Sequence, residues 1–183
     1  MAPALAVTLN ALGLYAIALV LIVAFGAQLI LHELPCPLCL LQRIQFALLA
    51  VGPVLNVRFG PRPSHYALSL LVATAGAAFA MRQILLHIMP GDPGYGSALL
   101  GYHYYSWAFI GFAVAILALA AMLLFDGQFA AGTPLPQIGA FAHAAVWLVI
   151  ALTALNVVAT LLECGFAACP DDPKHYELLR FGQ

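Results

Sequence analysis

Four cysteines stand in two close pairs, Cys36-Pro37-Leu38-Cys39 and Cys164-Gly165-Phe166-Ala167-Ala168-Cys169. Thiols three apart at the start of a helix can approach to the roughly 4.4–6.8 Å Cα separation that a disulfide needs. The unpaired N–H groups and dipole of a helix N-terminus also favour a thiolate there. Pro37 suits such an opening, where its missing donor costs nothing. The second pair is five apart, too wide to close within a regular helix, and Gly165 and Pro170 assign it to a loop. The chemistry on offer is thiol–disulfide exchange. Three blander readings stand beside it. Buried cysteines in apolar helices are often small inert residues, two pairs can form purely structural disulfides, and C-x2-C is half of a zinc site. Clustering at the ends of apolar stretches speaks against inert packing, and the wider second spacing speaks against zinc.

Such thiols need rigid supports, and the rest of the chain supplies little else. Of 183 residues, 64% are hydrophobic and only 7% charged, whereas a soluble domain carries about a quarter charged residues. A water-soluble globule is excluded, as are intrinsic disorder, collagen and a disulfide-stapled mini-protein. A net charge of -1 with six Lys+Arg leaves no electrostatic footprint for nucleic acid. Five apolar stretches of about the ~20 residues that a bilayer requires read as membrane spans over 11–31, 40–57, 66–88, 104–125 and 141–162. With a polar tail at 163–183 they are expected to form a single membrane domain, 1–183. Uniform apolarity predicts an all-α polytopic bundle, not the ~10-residue alternation of a membrane barrel.

Pro and Gly mark turns at 58–65, 89–103 and 126–140, and a Pro-x-Asp-Pro pattern recurs at 90–93 and 170–173 as turn chemistry. The first stretch lacks a basic flank and a small-residue cleavage site, so it is expected to be a retained span. Four spans separate the two cysteine pairs, and an even number returns the chain to the same side of the membrane. Arg58 and Arg62 in a short loop lean toward a cytoplasmic N-terminus and outward-facing cysteines.

Cys36-Pro37-Leu38-Cys39-Leu40-Leu41-Gln42-Arg43, after one span and opening the next, resembles the signature of the DsbB family of disulfide-forming membrane proteins. The order of the first four spans and the segment 94–108 extend the likeness over about 1–125. The resemblance implies a four-helix core, here with a fifth span, and a quinone (ubiquinone or menaquinone) beside the C-x-x-C. It also implies a periplasmic thioredoxin-like dithiol oxidase (DsbA-like) as the partner. Members of the best-known type carry their second pair between spans three and four. Here the 89–103 loop has no cysteine, and the pair follows the fifth span.

Arg43 lies four residues after Cys39, about 40° around a helix, where it can hydrogen-bond a quinone carbonyl and hold charge developing on it. Its bland reading is snorkelling to headgroups. Arg82 sits at a depth where charges are costly and usually functional or paired. His87, at the same span end, matches the family's quinone-contacting histidine in place. His32 and Glu33 could tune the nearby thiols or simply face solvent. His103 and His143 read as interfacial residues. The function these expectations add up to is a quinone-dependent thiol:disulfide oxidoreductase of a bacterial inner membrane, embedded in membrane lipid. Electrons would pass from the partner to Cys164/Cys169, then to Cys36/Cys39, then to quinone bound with Arg43, His87 and Arg82. Family order makes Cys164 the sulfur attacked by the partner and Cys169–Cys36 the transient bridge. Two alternatives remain open: a vitamin-K-epoxide-reductase-like quinone reductase, and a non-catalytic accessory subunit with structural disulfides.

Overall fold

The computed structural model describes residues 1–129 and 138–180. The middle of the 126–140 connection and the last three residues of the tail lie outside the described residues. The chain folds as α1 (Pro3–Ile30), α2 (Pro37–Leu49), α3 (Val51–Phe59), α4 (Pro63–Leu86), α5 (Tyr104–Leu123), α6 (Ala140–Cys164) and a one-turn α7 (Glu177–Arg180). A small antiparallel pair, β1 (Ala98–Leu99) with β2 (Tyr102–His103), decorates the loop before α5. With α2 and α3 counted together, five helices are long and apolar enough to cross a membrane. The expected all-α bundle is the architecture found.

Prolines open α1, α2 and α4, where a missing N–H costs nothing. Another proline divides the second span. Pro53 cannot donate to the Leu49 carbonyl four residues back, and its ring crowds that oxygen. The helix breaks at Ala50, and the freed Leu49 carbonyl accepts a hydrogen bond from Ser69 Oγ at 2.9 Å. That bond ties α4 to the break. Gly52 makes the approach possible, because a Cβ there would collide with Ser69 Oγ and the His65 carbonyl.

α4 packs along α5 and α2, while α1 packs along α6 and α3. Each helix does so through positions three and four residues apart, the spacing that keeps one seam facing a neighbour. On α4 the seam is Tyr66, Ser69, Ala73, Gly76, Ala80 and Gln83. On α1 it includes Val7, Ala11, Leu14, Ala18, Leu21 and Gln28. On α6 it runs from Ala142 through Ala145, Val149, Leu152 and Asn156 to Glu163. Lipid tails are as apolar as the side chains, so close packing and internal hydrogen bonds carry helix association in a membrane. Small residues on these seams allow it. Phe46 stacks on Phe112 with ring centroids 4.1 Å apart, directly over Gly76, where a Cβ would enter the Phe112 ring.

The seams turn polar at both ends of the bundle. At the end holding the α3–α4 turn, Asn10 donates to Tyr66 Oη at 2.7 Å and Asn56 donates to Asn10 Oδ1 at 3.0 Å. Tyr66 in turn donates to Gln128 at 2.9 Å. This network is internally satisfied and clamps three helices. The opposite end holds the cysteines.

Candidate functional site

Cys36 is the N-cap of α2. Its backbone is extended (φ -68°, ψ 164°) and its Sγ accepts the Cys39 N–H at 3.2 Å, the task that Ser or Asp performs at other helix starts. Sulfur at this point therefore sits among the unpaired N–H groups of the first turn. Cys36 and Cys39 are joined as a disulfide with Cα atoms 4.9 Å apart. Cys36 is 6% exposed, and Cys39 is half-buried.

Over this disulfide lies Gln83 of α4, 1% exposed. Its Nε2 points at both sulfurs, 3.3 Å from Cys36 Sγ and 3.5 Å from Cys39 Sγ. Its Oε1 accepts from Gln42 Nε2 at 2.7 Å, which fixes the amide orientation. Sequence reasoning missed Gln83 and singled out its neighbour Arg82. The seam on α4 distinguishes them: Gln83 follows Ala80 by three and faces inward, while one residue earlier is turned about 100° away. Arg82 is exposed on the outer face beside Ala78, Met81, Leu85 and Leu86, and it does not line the cavity at Cys39. An amide N–H aimed at these sulfurs supports a thiolate more than a disulfide. Gln83→Leu is expected to make Cys36–Cys39 a weaker oxidant. A hydrogen bond to a charged group is worth about 1.5–3 kcal/mol, so the reduction potential should fall by roughly 30–60 mV. Equilibration with a dithiol redox buffer measures this, and an unchanged potential would remove Gln83 from the site.

Arg43 reaches back to α1. Nη1 donates to Gln28 Oε1 at 2.5 Å, Nη2 donates to the Ala24 carbonyl at 2.8 Å, and the guanidinium carbon sits 5.7 Å from the Phe25 ring centroid. Gln28 Nε2 then donates to Tyr176 Oη at 3.2 Å, which ties the C-terminal tail to this cluster. Cys39, Gln42 and Arg43 together line a cavity of about 370 Å³ whose other walls are mainly apolar residues of α1 and α5. A second apolar cavity of about 290 Å³ shares Val20, Phe46 and Gly111 with it and continues toward the other end of the bundle.

His87 does not line either cavity. It stacks on Tyr105, which lines the larger one, and its Nδ1 lies 3.0 Å from Asp92 Oδ1. The Gly94 N–H donates to the same oxygen at 2.7 Å. That backbone bond, then the His87 contact, holds the Asp92 carboxyl below the usual carboxylate range. This is the turn expected from Pro-x-Asp-Pro at 90–93. The loop is anchored over the site by Glu33, which accepts from Ser97 N and Oγ, and by Tyr95, which donates to the Leu34 carbonyl at 2.7 Å. Burial, then the charges of Asp172, Glu163 and Glu33, push the Tyr95 hydroxyl up to about 12, so it remains a donor.

The second pair is not wholly in a loop. Cys164 is the last residue of α6, and the chain reverses at Gly165 (φ 64°, ψ -137°), a conformation that only glycine adopts readily. The reversal brings Cys169 back to form a disulfide with Cα atoms 4.5 Å apart. Cys164 is 6% exposed, and Cys169 is more open. Glu163 precedes this pair, is 1% exposed, and interacts electrostatically with Arg43. The two pairs thus share one end of the bundle, linked through Arg43, Gln28, Glu163 and Tyr176.

Fold and site define a multi-pass helical membrane protein with a dithiol pair at a helix N-terminus, open to an apolar cavity. The family profile described as "Disulfide bond formation protein DsbB" matches residues 6–97, half of the chain, including Cys36, Cys39, Arg43 and Gln83. The chain belongs to the DsbB family. It is 41% identical over 86 residues to "Disulfide bond formation protein B" of Xanthomonas axonopodis pv. citri, covering 44% of this chain and 50% of that protein. The protein of the same description from Xanthomonas euvesicatoria pv. vesicatoria is 40% identical over the same shares. "Disulfide bond formation protein B 2" of Burkholderia lata is 42% identical over 69 residues, 37% of this chain and 41% of its own. The chain spans about half the length of the curated relatives it matches. No solved structure matches it. The profile match ends before α5, so Cys164 and Cys169 lie outside it.

Proposed function

We propose that the protein is a quinone-dependent thiol:disulfide oxidoreductase that reoxidises a soluble DsbA-like dithiol through two cysteine pairs. The observation that carries the reading is the single cavity lined by Cys39, Gln42 and Arg43 beside the N-cap disulfide. Its walls fit a quinone: apolar surface for a ring, and a guanidinium with two of its five donors engaged among the described residues and the rest free for a carbonyl oxygen. The adjoining apolar cavity suits a polyprenyl tail. A quinone bound there supplies the two-electron acceptor for the Cys36/Cys39 dithiol.

The chain's own residues do the remainder. Gln83 and the first-turn N–H groups support sulfur as it becomes thiolate, and Arg43 holds opposite charge one turn away. A soluble thiolate must reach a sulfur to exchange with it. Cys36 lies beneath Gln83, whereas Cys169 is the more open residue of the tail pair. Exposure therefore favours Cys169 as the sulfur that the partner attacks, with Cys164 the inner one, the reverse of the family order. Arg58 and Arg62 at the far end support an N-terminus in the cytoplasm of a bacterial inner membrane and cysteines facing the periplasm.

Purification in detergent, solvent extraction and redox mapping of the cysteines test the reading. A quinone is expected in the extract, and added soluble dithiol should be oxidised through both pairs. An extract without quinone, with both disulfides inert to the dithiol, would leave an accessory subunit with structural disulfides.

A further inference from the structure

We infer that Glu163 carries the proton that Cys164 gains and loses during exchange between the two cysteine pairs. This rests on the two-pair relay proposed above. Glu163 is 1% exposed at the last turn of a membrane helix, and neither of its carboxyl oxygens has a hydrogen-bond partner among the described residues. The polar network at the opposite end of the bundle, Asn10–Asn56–Tyr66–Gln128, is satisfied throughout. Glu163 is not, although the cost of burying an unpaired carboxyl is high. Ionisable groups at such places in membrane proteins are functional by default, with a partner to be named.

Two groups bear on it. Cys164, its neighbour in the chain, is also buried. Arg43 of α2 interacts with Glu163 electrostatically while donating two of its N–H groups to Gln28 and Ala24. The other titratable groups of this cluster are Tyr95 and Tyr176, with Glu33 and Asp172 beyond Tyr95. Among the described residues, Glu163 is the carboxyl group that acts on Arg43, the charge next to Cys39.

The exchange balances through it. A partner thiolate attacks Cys169 Sγ. The Cys164–Cys169 bond breaks, its electron pair goes to Cys164, and the Glu163 carboxyl protonates that sulfur. The negative charge brought by the partner now rests on Glu163, within the electrostatic reach of Arg43. Cys164 then attacks Cys36 and returns its proton to Glu163. A Cys164–Cys36 bond forms, the Cys36–Cys39 bond breaks, and Cys39 leaves as thiolate one helical turn from Arg43. Charge has moved from the partner to Cys39 with no net proton uptake.

The test uses the full chain with Glu163→Gln and Glu163→Asp. Transfer of electrons from the tail pair to Cys36–Cys39 should slow by about a hundred-fold in the Gln variant, the lower end of what a positioned acid–base group contributes. Its rate should also lack the pH inflection expected of the unaltered protein. Glu163→Asp, which keeps the acid, should recover part of both. The direct readout is infrared difference spectroscopy on opening the tail disulfide with a dithiol: the carboxylic-acid carbonyl band should change in the unaltered protein, and that change should be absent with Gln. A Gln variant with the same band change and the same pH profile overturns the inference while leaving the relay intact. An unaltered protein that passes no electrons between the pairs ends the relay, and this inference with it.

Discussion

Replacing Cys164 and Cys169 together by serine should lower oxidation of a soluble dithiol by about a thousand-fold or more, because removal of a covalent nucleophile leaves no group to take its place. Quinone content should be unchanged, since neither residue lines the cavity at Cys39. The size of the expected loss follows from access. Cys36 is 6% exposed, and both sulfurs of its disulfide lie against the Gln83 amide. Cys169 follows a glycine-turned reversal and is the more open residue of its own pair. A partner thiolate needs nearly linear access to the sulfur it attacks, and Cys39 opens onto the apolar cavity rather than the tail side, so this pair is a poor first target for a soluble partner. Stopped-flow oxidation of a reduced thioredoxin-like protein measures the effect. Near-normal oxidation by the double variant would establish direct attack on Cys36–Cys39 and reduce the tail disulfide to a structural staple.

Arg43→Ala should reduce quinone-dependent turnover by roughly ten- to a hundred-fold at limiting quinone, with a smaller effect on exchange between the two cysteine pairs. One charge-assisted hydrogen bond is worth about 1.5–3 kcal/mol, and each 1.36 kcal/mol is about a factor of ten in rate. The variant also loses the contacts from Arg43 to Gln28 and the Ala24 carbonyl, which tether α2 to α1. Arg43→Lys separates the two effects: a point charge keeps the electrostatics, but not the planar fork that engages both partners at once. Lysine should therefore recover part of the exchange rate and less of the affinity for quinone. Turnover at limiting quinone unaltered by Ala would remove Arg43 from the site.

Much of this protein is legible in its residues because the governing physics is local. Apolar runs of bilayer length make helices whatever surrounds them, since a backbone in lipid must satisfy its own hydrogen bonds. Cys36-Pro37 marks a helix start through the fixed φ of proline and a side chain able to accept an N–H. Cys39 and Arg43 line one cavity because four residues make just over one helical turn. The same periodicity was there to be read in the seams: counting by three and four along α1, α4 and α6 arrives at Gln28, Gln83 and Glu163, and it turns Arg82 outward.

What local spacing cannot state is which seams meet, and at what height. Gln83 lies 44 residues beyond Cys39 in the chain, yet its amide reaches both sulfurs. That height depends on the break at Pro53, the Ser69 bond to Leu49 and the close approach at Gly52, all of them contacts between helices. The closure of Cys164 with Cys169 likewise needs the reversal at Gly165, and the tail beyond it is docked by Tyr176 on Gln28. Periodicity sets the direction of a side chain from its own helix. The partner it meets is set by the axial register of two helices, and that exists only once they have packed.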